Sequence, residues 1–421
     1  LHGDGTVRPL GDSTKIEDGM SRPLEGFKVV EVAMWAFVPS CGGALCDMGA
    51  DVIKVEPPSG DPLRGLQIGG MDKSRVDLSW ESYNRGKRSI TLDLKMAEGQ
   101  EVLMKLCEDA DVFLTNLLPP ARRKMGIDAE TIRARFPNIV YAAGCGTGPK
   151  GPENEKGGYD SITYWARSGI SSTMTEDGAP YPVPAPGPAF GDTMSGAMLA
   201  GAICAALAKR ERTGEGSLVE VSLLGTAMWS MQRLIAQSTM DGIVKFPKPP
   251  NPKPFNVLVH TYRTKDDRFV ALCMLQADKY WQGFCEAAGR PDLAANPDYA
   301  TDALRRQNID ACMAEMVALF ASHTVDEWRQ ILGRQDGQWD IVQHVGEIHK
   351  DPQVVANNMV QTVDYGDGTT IPLVAMPWMF DGAPMQARRS PDLGADSDSI
   401  LDSLGYDEDA IIDLKVKGVV F

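Results

Sequence analysis

One acidic side chain stands out by its setting. Asp192 lies in Phe190-Gly191-Asp192-Thr193-Met194-Ser195-Gly196, a glycine-flanked turn followed by a run of small residues that includes Ala197, Gly201, Ala202, Ala205 and Ala206. Lys209 to Arg212 supply a basic last turn, Thr213-Gly214-Glu215-Gly216 a stop, and Leu218 to Leu223 alternate as a strand does. The pattern predicts an amphipathic helix with Asp192 at or next to its N-terminus, where exposed N–H groups and the helix dipole favour a negative charge. Two chemistries suit that place. One is an N-cap worth about 1 kcal/mol of helix stability. The other is an ionised carboxylate held ready as a nucleophile. On spacing alone the cap is the commoner outcome.

The elements that must position this side chain read as α/β. Strands are predicted at Phe27 to Ala33, Asp51 to Glu56, Arg88 to Asp93, Asp111 to Asn116 and Ile139 to Ala143, with helical segments between them, such as Met96 to Asp109. Alternation at this spacing predicts a doubly wound, mostly parallel sheet. A dinucleotide-binding version needs G-x-G-x-x-G after the first strand, and Ala33-Met-Trp-Ala-Phe-Val-Pro39 has none. Glu56 alone, in the place of a ribose-binding acid, is weak support for that version. From Phe246 to Phe255 the chain is proline- and lysine-rich, a stiff connector. A β-hairpin around Lys265-Asp266-Asp267 then opens a smaller α+β domain, with helices expected at Lys279 to Ala288, Thr301 to Ser322 and Thr324 to Gly333. Further helices are expected at Ser397 to Leu404 and Asp407 to Lys415.

Composition narrows the function. With 42 basic against 57 acidic side chains the net charge is −15, which argues against nucleic acid or an anionic membrane as a general partner. An anionic ligand would need a local cluster of Lys and Arg. No apolar run approaches the roughly 20 residues of a membrane span. The eight cysteines are scattered without a CxxC pair, which predicts reduced thiols in a cytoplasm. The five histidines lack metal-ligand spacing, so no bound metal is expected.

Several short motifs, in order, resemble the family III CoA-transferases of the CaiB/BaiF superfamily, which also contains the α-methylacyl-CoA racemases. They are Pro23-Leu-Glu-Gly26, Gly49-Ala-Asp-Val-Ile-Lys-Val-Glu56, Gly60-Asp61 with Arg64, Asn84-Arg-Gly-Lys-Arg-Ser-Ile-Thr-Leu-Asp93 and Lys124-Met-Gly126. Gly158-Tyr-Asp160, Gly191-Asp192, Arg212-Thr-Gly-Glu-Gly216, Ser390-Pro-Asp-Leu-Gly394, Ile400 to Leu404 and Lys417-Gly-Val-Val420 complete the set. With the resemblance in hand, the nucleophile reading of Asp192 overtakes the cap reading.

The resemblance implies that Asp192 attacks an acyl-CoA carbonyl, forming a mixed anhydride and then an aspartyl-CoA thioester that an acceptor carboxylate resolves. A thioester is already activated, so an ionised carboxylate needs no general base. The helix N-terminus is expected to keep Asp192 ionised at neutral pH, with backbone N–H groups near Gly191 or another glycine turn as candidate oxyanion donors. CoA enters as a substrate, with no permanently bound cofactor. The resemblance places Leu92, Leu94, Asn116 and Lys124 near the nucleotide, with Arg64 as a further cation for its phosphates. Arg64, Arg85, Lys87, Arg88, Arg122, Arg123 and Lys124 are expected to cluster around three strand ends. Tyr159 and Asp160 join the site, and Trp35, Ala36 and Phe37 fall in the first βα loop. Ala36 stands where the formyl-CoA and oxalate transferases carry glutamine, and their long glycine loop is missing. The expected acyl group is therefore branched, aromatic or polycyclic, with Trp35 and Phe37 lining its pocket or packed beneath the loop. Racemases use a histidine before the aspartate of Gly-His-Asp; here Tyr159, with an ordinary pKa of about 10, is a poor proton shuttle. A racemase and a non-catalytic CoA-ester binder stand as the alternatives.

The implied fold is a Rossmann-like large domain formed by both chain ends, a smaller α+β domain between them, and an interlocked homodimer. On that layout residues 1–22 are a disordered leader, 23–225 the first part of the large CoA-binding domain and 226–255 a linker. Residues 256–335 form the small domain, and 336–421 a linker and the C-terminal part of the large one.

Overall fold

The computed structural model describes residues 22–66, 76–250 and 252–421, so the leader expected over 1–22 lies outside the described residues except for Arg22. The chain divides into two compact units, one of residues up to Pro247 together with Val355–Phe421, the other Lys248–Val354.

The first unit opens with β1 (Lys28–Val32), α1 (Phe37–Asp47), β2 (Asp51–Glu56), α2 (Leu78–Asn84), β3 (Arg88–Thr91), α3 (Ala97–Glu108) and β4 (Val112–Thr115). It continues with α4 (Pro119–Lys124), α5 (Ala129–Arg135), β5 (Val140–Cys145), a π-helical segment at Asp160–Ala166, α6 (Ile170–Met174), α7 (Phe190–Thr213) and β6 (Leu218–Ser222). The six strands form one sheet in the order β3-β2-β1-β4-β5-β6, and every pairing is parallel. Parallel strands need crossover helices that cover both faces, and the strands accordingly read as near-continuous apolar runs, Val52 to Val55 and Val112 to Leu114 among them. One core, containing Val38, Leu45, Val52, Leu114, Leu199 and Ile203, joins α1 and α7 to one face of the sheet. The other joins Ile90, Phe113 and Leu103 to Ile400, Leu401 and Val419 from the chain's C-terminal end.

The order reverses between β1 and β4. In such sheets the crevice beyond the carboxyl ends of these two strands is where ligands bind. The loops leaving that point are Ala33 to Ala36 and Asn116 to Leu118.

α7 differs from expectation in one respect. Its 24 residues include a window of mean hydropathy 1.3, so by length and composition it is apolar enough to cross a bilayer. In the fold its Leu199, Ala200 and Ile203 are buried in the core with α1. Gly196 permits that approach, because a Cβ there would overlap Ser40 Oγ and lie 2.8 Å from Phe37 O.

Residues 226–241, expected as linker, are instead helical, in α8 (Leu223–Ser230) and α9 (Gln232–Asp241). Ser222 caps the first of them by accepting from Gly225 N at 3.0 Å. The second unit carries a three-stranded antiparallel sheet of Thr261–Arg263, Phe269–Leu272 and Trp339–Ile341. Its last strand lies beyond residue 335, the expected limit of the small domain, because it pairs directly with Phe269–Leu272. The single helix expected from Thr301 to Ser322 is broken at Asn308, whose side-chain amide donates to Leu304 O and Asp298 O.

Candidate active site

α7 begins unusually. Ala189 precedes it in the left-handed region (φ 55°) and has no capping side chain, a conformation that costs a non-glycine residue of order 1 kcal/mol. The cap comes from elsewhere in the chain. Asp160, at the start of the π-helical segment, accepts from the N–H group of Gly191 at 3.0 Å. Gly191 is required for this approach, since a Cβ would overlap the Tyr164 ring and crowd Asp160 Oδ1.

Asp192 is thus the third residue of α7 and caps nothing. Among the described residues its carboxylate has no hydrogen-bond or ion-pair partner; only its backbone carbonyl accepts, from Ser40 Oγ at 3.4 Å. Burial, and secondarily the nearby Asp160, push its pKa up to about 7. The expectation that the helix terminus would keep it fully ionised is therefore corrected. The Gly191 N–H is engaged by Asp160, and desolvation outweighs what remains of the dipole. Gly191 N–H, expected as an oxyanion donor, is committed to Asp160 as well. Asp160 is itself shifted upward by burial, against the pull of the backbone N–H groups at the start of α7.

The first βα loop stands over the switch point. Trp35 is left-handed (φ 68°), and its ring meets that of Tyr159 edge-on, centroids 5.8 Å apart. Tyr159 is 55% exposed and immediately precedes Asp160. Ala36 and Phe37 are both buried at the start of α1. Phe37 is thus packed beneath the loop, while Trp35 stays partly exposed. Asn116 binds the Met34 backbone twice, donating to its carbonyl at 2.6 Å and accepting from its N–H at 3.0 Å. Its side chain is therefore committed to the loop.

Behind the loop lies a buried ionic chain that was not apparent in the sequence. Lys87 Nζ is 2.8 Å from Glu31, Glu31 is 3.1 Å from Lys54, and Lys54 is 2.9 Å from Asp61. Two cations and two anions balance, as buried charges must.

The expected cation cluster is corrected. Lys87 belongs to this chain, and Arg85 pairs with buried Asp47 at 2.8 Å. Arg88 pairs with Asp51 at the opposite, N-terminal end of the sheet. Arg64 binds Glu56 through two hydrogen bonds of 2.7 and 2.8 Å and stacks on Trp80. Arg122 approaches Tyr141 and Arg123 pairs with Glu155. Lys124, exposed in the last turn of α4, has no ion-pair partner among the described residues. Leu92 is buried in the core, and Leu94 is partly buried against the same core.

Tyr83 was not singled out by sequence reasoning. Burial, together with the nearby Asp192 and Asp160, raises its pKa. Its place, one residue before the Asn84-Arg-Gly-Lys87 stretch, was the available signal. The four described histidines, His260, His323, His344 and His349, all lie in the other unit.

Comparison with known proteins agrees with this geometry. The model of CoA-transferase family III matches residues 24–397. The chain is 33% identical to an (R)-2-hydroxy-4-methylpentanoate CoA-transferase of Clostridioides difficile, over 94% of this chain and 99% of that protein. It is also 33% identical to a cinnamoyl-CoA:phenyllactate CoA-transferase of Clostridium sporogenes, over 93% and 96% respectively. The crystal structure of a CaiB/BaiF family protein from Brucella suis superposes with a TM-score of 0.77 at 29% identity, covering 91% of this chain and all of that one. A parallel sheet in this strand order, a match spanning nearly the whole sequence and full-length transferase relatives together establish that the chain belongs to CoA-transferase family III.

Proposed function

We propose that the protein moves CoA from an acyl-CoA thioester to a free carboxylic acid, with Asp192 as the nucleophile. The observation that carries this reading is the Asp192 carboxylate itself: partnerless among the described residues, and set on a strained helix start that another acid caps. Even a partly buried carboxylate without a partner is costly, and a nucleophile is a reason to keep one. In its ionised form an Asp192 oxygen attacks the thioester carbon, and collapse of the tetrahedral adduct expels CoA thiolate and leaves an aspartyl anhydride. The thiolate then attacks the aspartyl carbonyl, releasing the donor acid. An acceptor carboxylate attacks the resulting aspartyl-CoA thioester, expelling the thiolate and forming a second anhydride. The thiolate then attacks the acceptor's carbonyl, giving the new acyl-CoA and freeing the Asp192 carboxylate. No net proton is consumed.

Tyr83, close to Asp192, is the donor assigned to the thioester oxygen as it gains charge. Asp160 holds the start of α7 in place. Lys124 is assigned to a CoA phosphate and Trp35 to the acyl pocket. An apolar branched or aromatic acid fits that pocket, in keeping with the 4-methylpentanoate and cinnamoyl names of the two relatives. A homodimer would cover the exposed Phe190, Met194 and Met198, which recur every fourth residue along α7.

The test is an exchange assay with an acyl-CoA panel and free acids, following new thioester by chromatography. Wild type forms it, and Asp192→Ala does not. Solvent deuterium entering the α-carbon without exchange of acids would instead support the racemase alternative.

A further inference from the structure

The Ala33–Pro39 stretch is held by side chains at five backbone atoms. Lys54 donates to Ala33 O at 2.9 Å, and Asn116 takes both polar groups of Met34. Asp61 Oδ1 accepts from Trp35 N–H at 3.0 Å, and Lys87 donates to Pro39 O at 2.9 Å. Three of these four side chains belong to the buried ionic chain. Asp61 sits at its end: Oδ1 also accepts from Leu63 N–H at 2.9 Å, while Oδ2 faces Lys54 Nζ at 2.9 Å. The residue it grips is the one held left-handed, a conformation that a tryptophan does not adopt without outside support. The indole so placed meets Tyr159.

We propose that Asp61 is a positioning residue for acyl recognition: by holding the Trp35 amide it keeps the indole beside Tyr159 and so sets a preference for flat apolar acyl groups. The inference rests on the acyl-CoA reading above and extends it to a residue remote from the reacting atoms. Lys54 orients Asp61, Glu31 orients Lys54, and Lys87 closes the chain. The pocket wall is therefore set by packing within the sheet rather than by a ligand's arrival. Such pre-organisation lowers the cost of binding.

Asp61→Asn keeps an acceptor for Trp35 but turns an amide toward the Lys54 ammonium. Hydrogen exchange should show protection of residues 34–37 falling about tenfold or more, with α7 unchanged. Affinities for cinnamoyl-CoA and for CoA alone, measured by calorimetry in an Asp192→Asn background to prevent turnover, give the selective readout. Cinnamoyl-CoA should lose about fivefold or more while CoA holds within about twofold. Trp35→Gly, which adopts the left-handed backbone freely, should show the same loss, and adding Asp61→Asn to it should cost nothing further. Unchanged protection, an unmoved affinity ratio, or additive losses in the double variant would each overturn the proposal. If Asp61→Asn does not fold, the Trp35→Gly affinity ratio decides: an unchanged ratio overturns it. If the Asp192→Asn protein binds neither ligand, the CoA-ester reading itself fails and takes this inference with it.

Discussion

Asp160 accepts the Gly191 N–H at 3.0 Å across 31 residues of sequence, so the cap of α7 comes from the π-helical segment and not from Asp192. A capping acid must point back at the helix's own N–H groups. Because Asp160 fills that place from the π-helical segment, Asp192 is free to face a ligand. The cap that the sequence suggested for Asp192 is supplied by Asp160 instead, and the nucleophile reading of Asp192 is the one proposed above.

This division sets a pH dependence. Asp192 must be ionised to attack, and burial followed by Asp160 raises its pKa to about 7. The rate of covalent adduct formation should rise with pH through an apparent pKa near that value and level off above it. Asp160→Asn should shift the profile toward acid, yet leave it above the ordinary carboxylate range, because burial is the larger cause. Rapid-quench mass measurements across pH 5 to 9 check both.

Stability should move the other way. The folded-state pKa of Asp192 lies above the unfolded one, so the folded form holds this proton more tightly, and stability is lost as pH rises from about 4 to about 7. Asp192→Asn escapes that loss. It should match wild type near pH 4 and exceed it by about 1–3 kcal/mol at pH 8 in denaturant titrations.

Gly191→Ala tests the close approach. The new methyl group has no room between Tyr164 and Asp160, so the start of α7 must shift. Destabilisation of about 1–3 kcal/mol is expected. Activity should fall by about a hundredfold, from misplacement of the nucleophile. Thermal melts and exchange kinetics measure the two effects.

Glu31 is fully buried between two lysines. Glu31→Gln removes the carboxylate that the Lys54 and Lys87 ammonium groups share and should cost about 3–5 kcal/mol. A loss below 1 kcal/mol in urea titration would show that the ionic chain does not hold this loop.

The sheet was legible because buried parallel strands leave apolar runs, and Val52 to Val55 or Val112 to Leu114 could hardly be anything else. Asp192 was legible from its glycine and the small residues after it. What the sequence concealed was pairing across distance. Lys87 and Arg64 look like phosphate ligands in a linear reading, since their anions Glu31 and Glu56 belong to other motifs. The role of Asp160 as a cap for α7 depends on a chain reversal through residues 167 to 189 that no local pattern encodes. The break at Asn308 was missed because helical periodicity continues on both sides of it.

The most direct test of the central claim is peptide mapping by mass spectrometry after incubation with cinnamoyl-CoA or 4-methylpentanoyl-CoA and borohydride or hydroxylamine trapping. The account predicts a modification on the peptide carrying Asp192, absent in Asp192→Ala. Exchange of CoA between acids with no adduct at Asp192, or with Asp192→Ala as active as wild type, would contradict it.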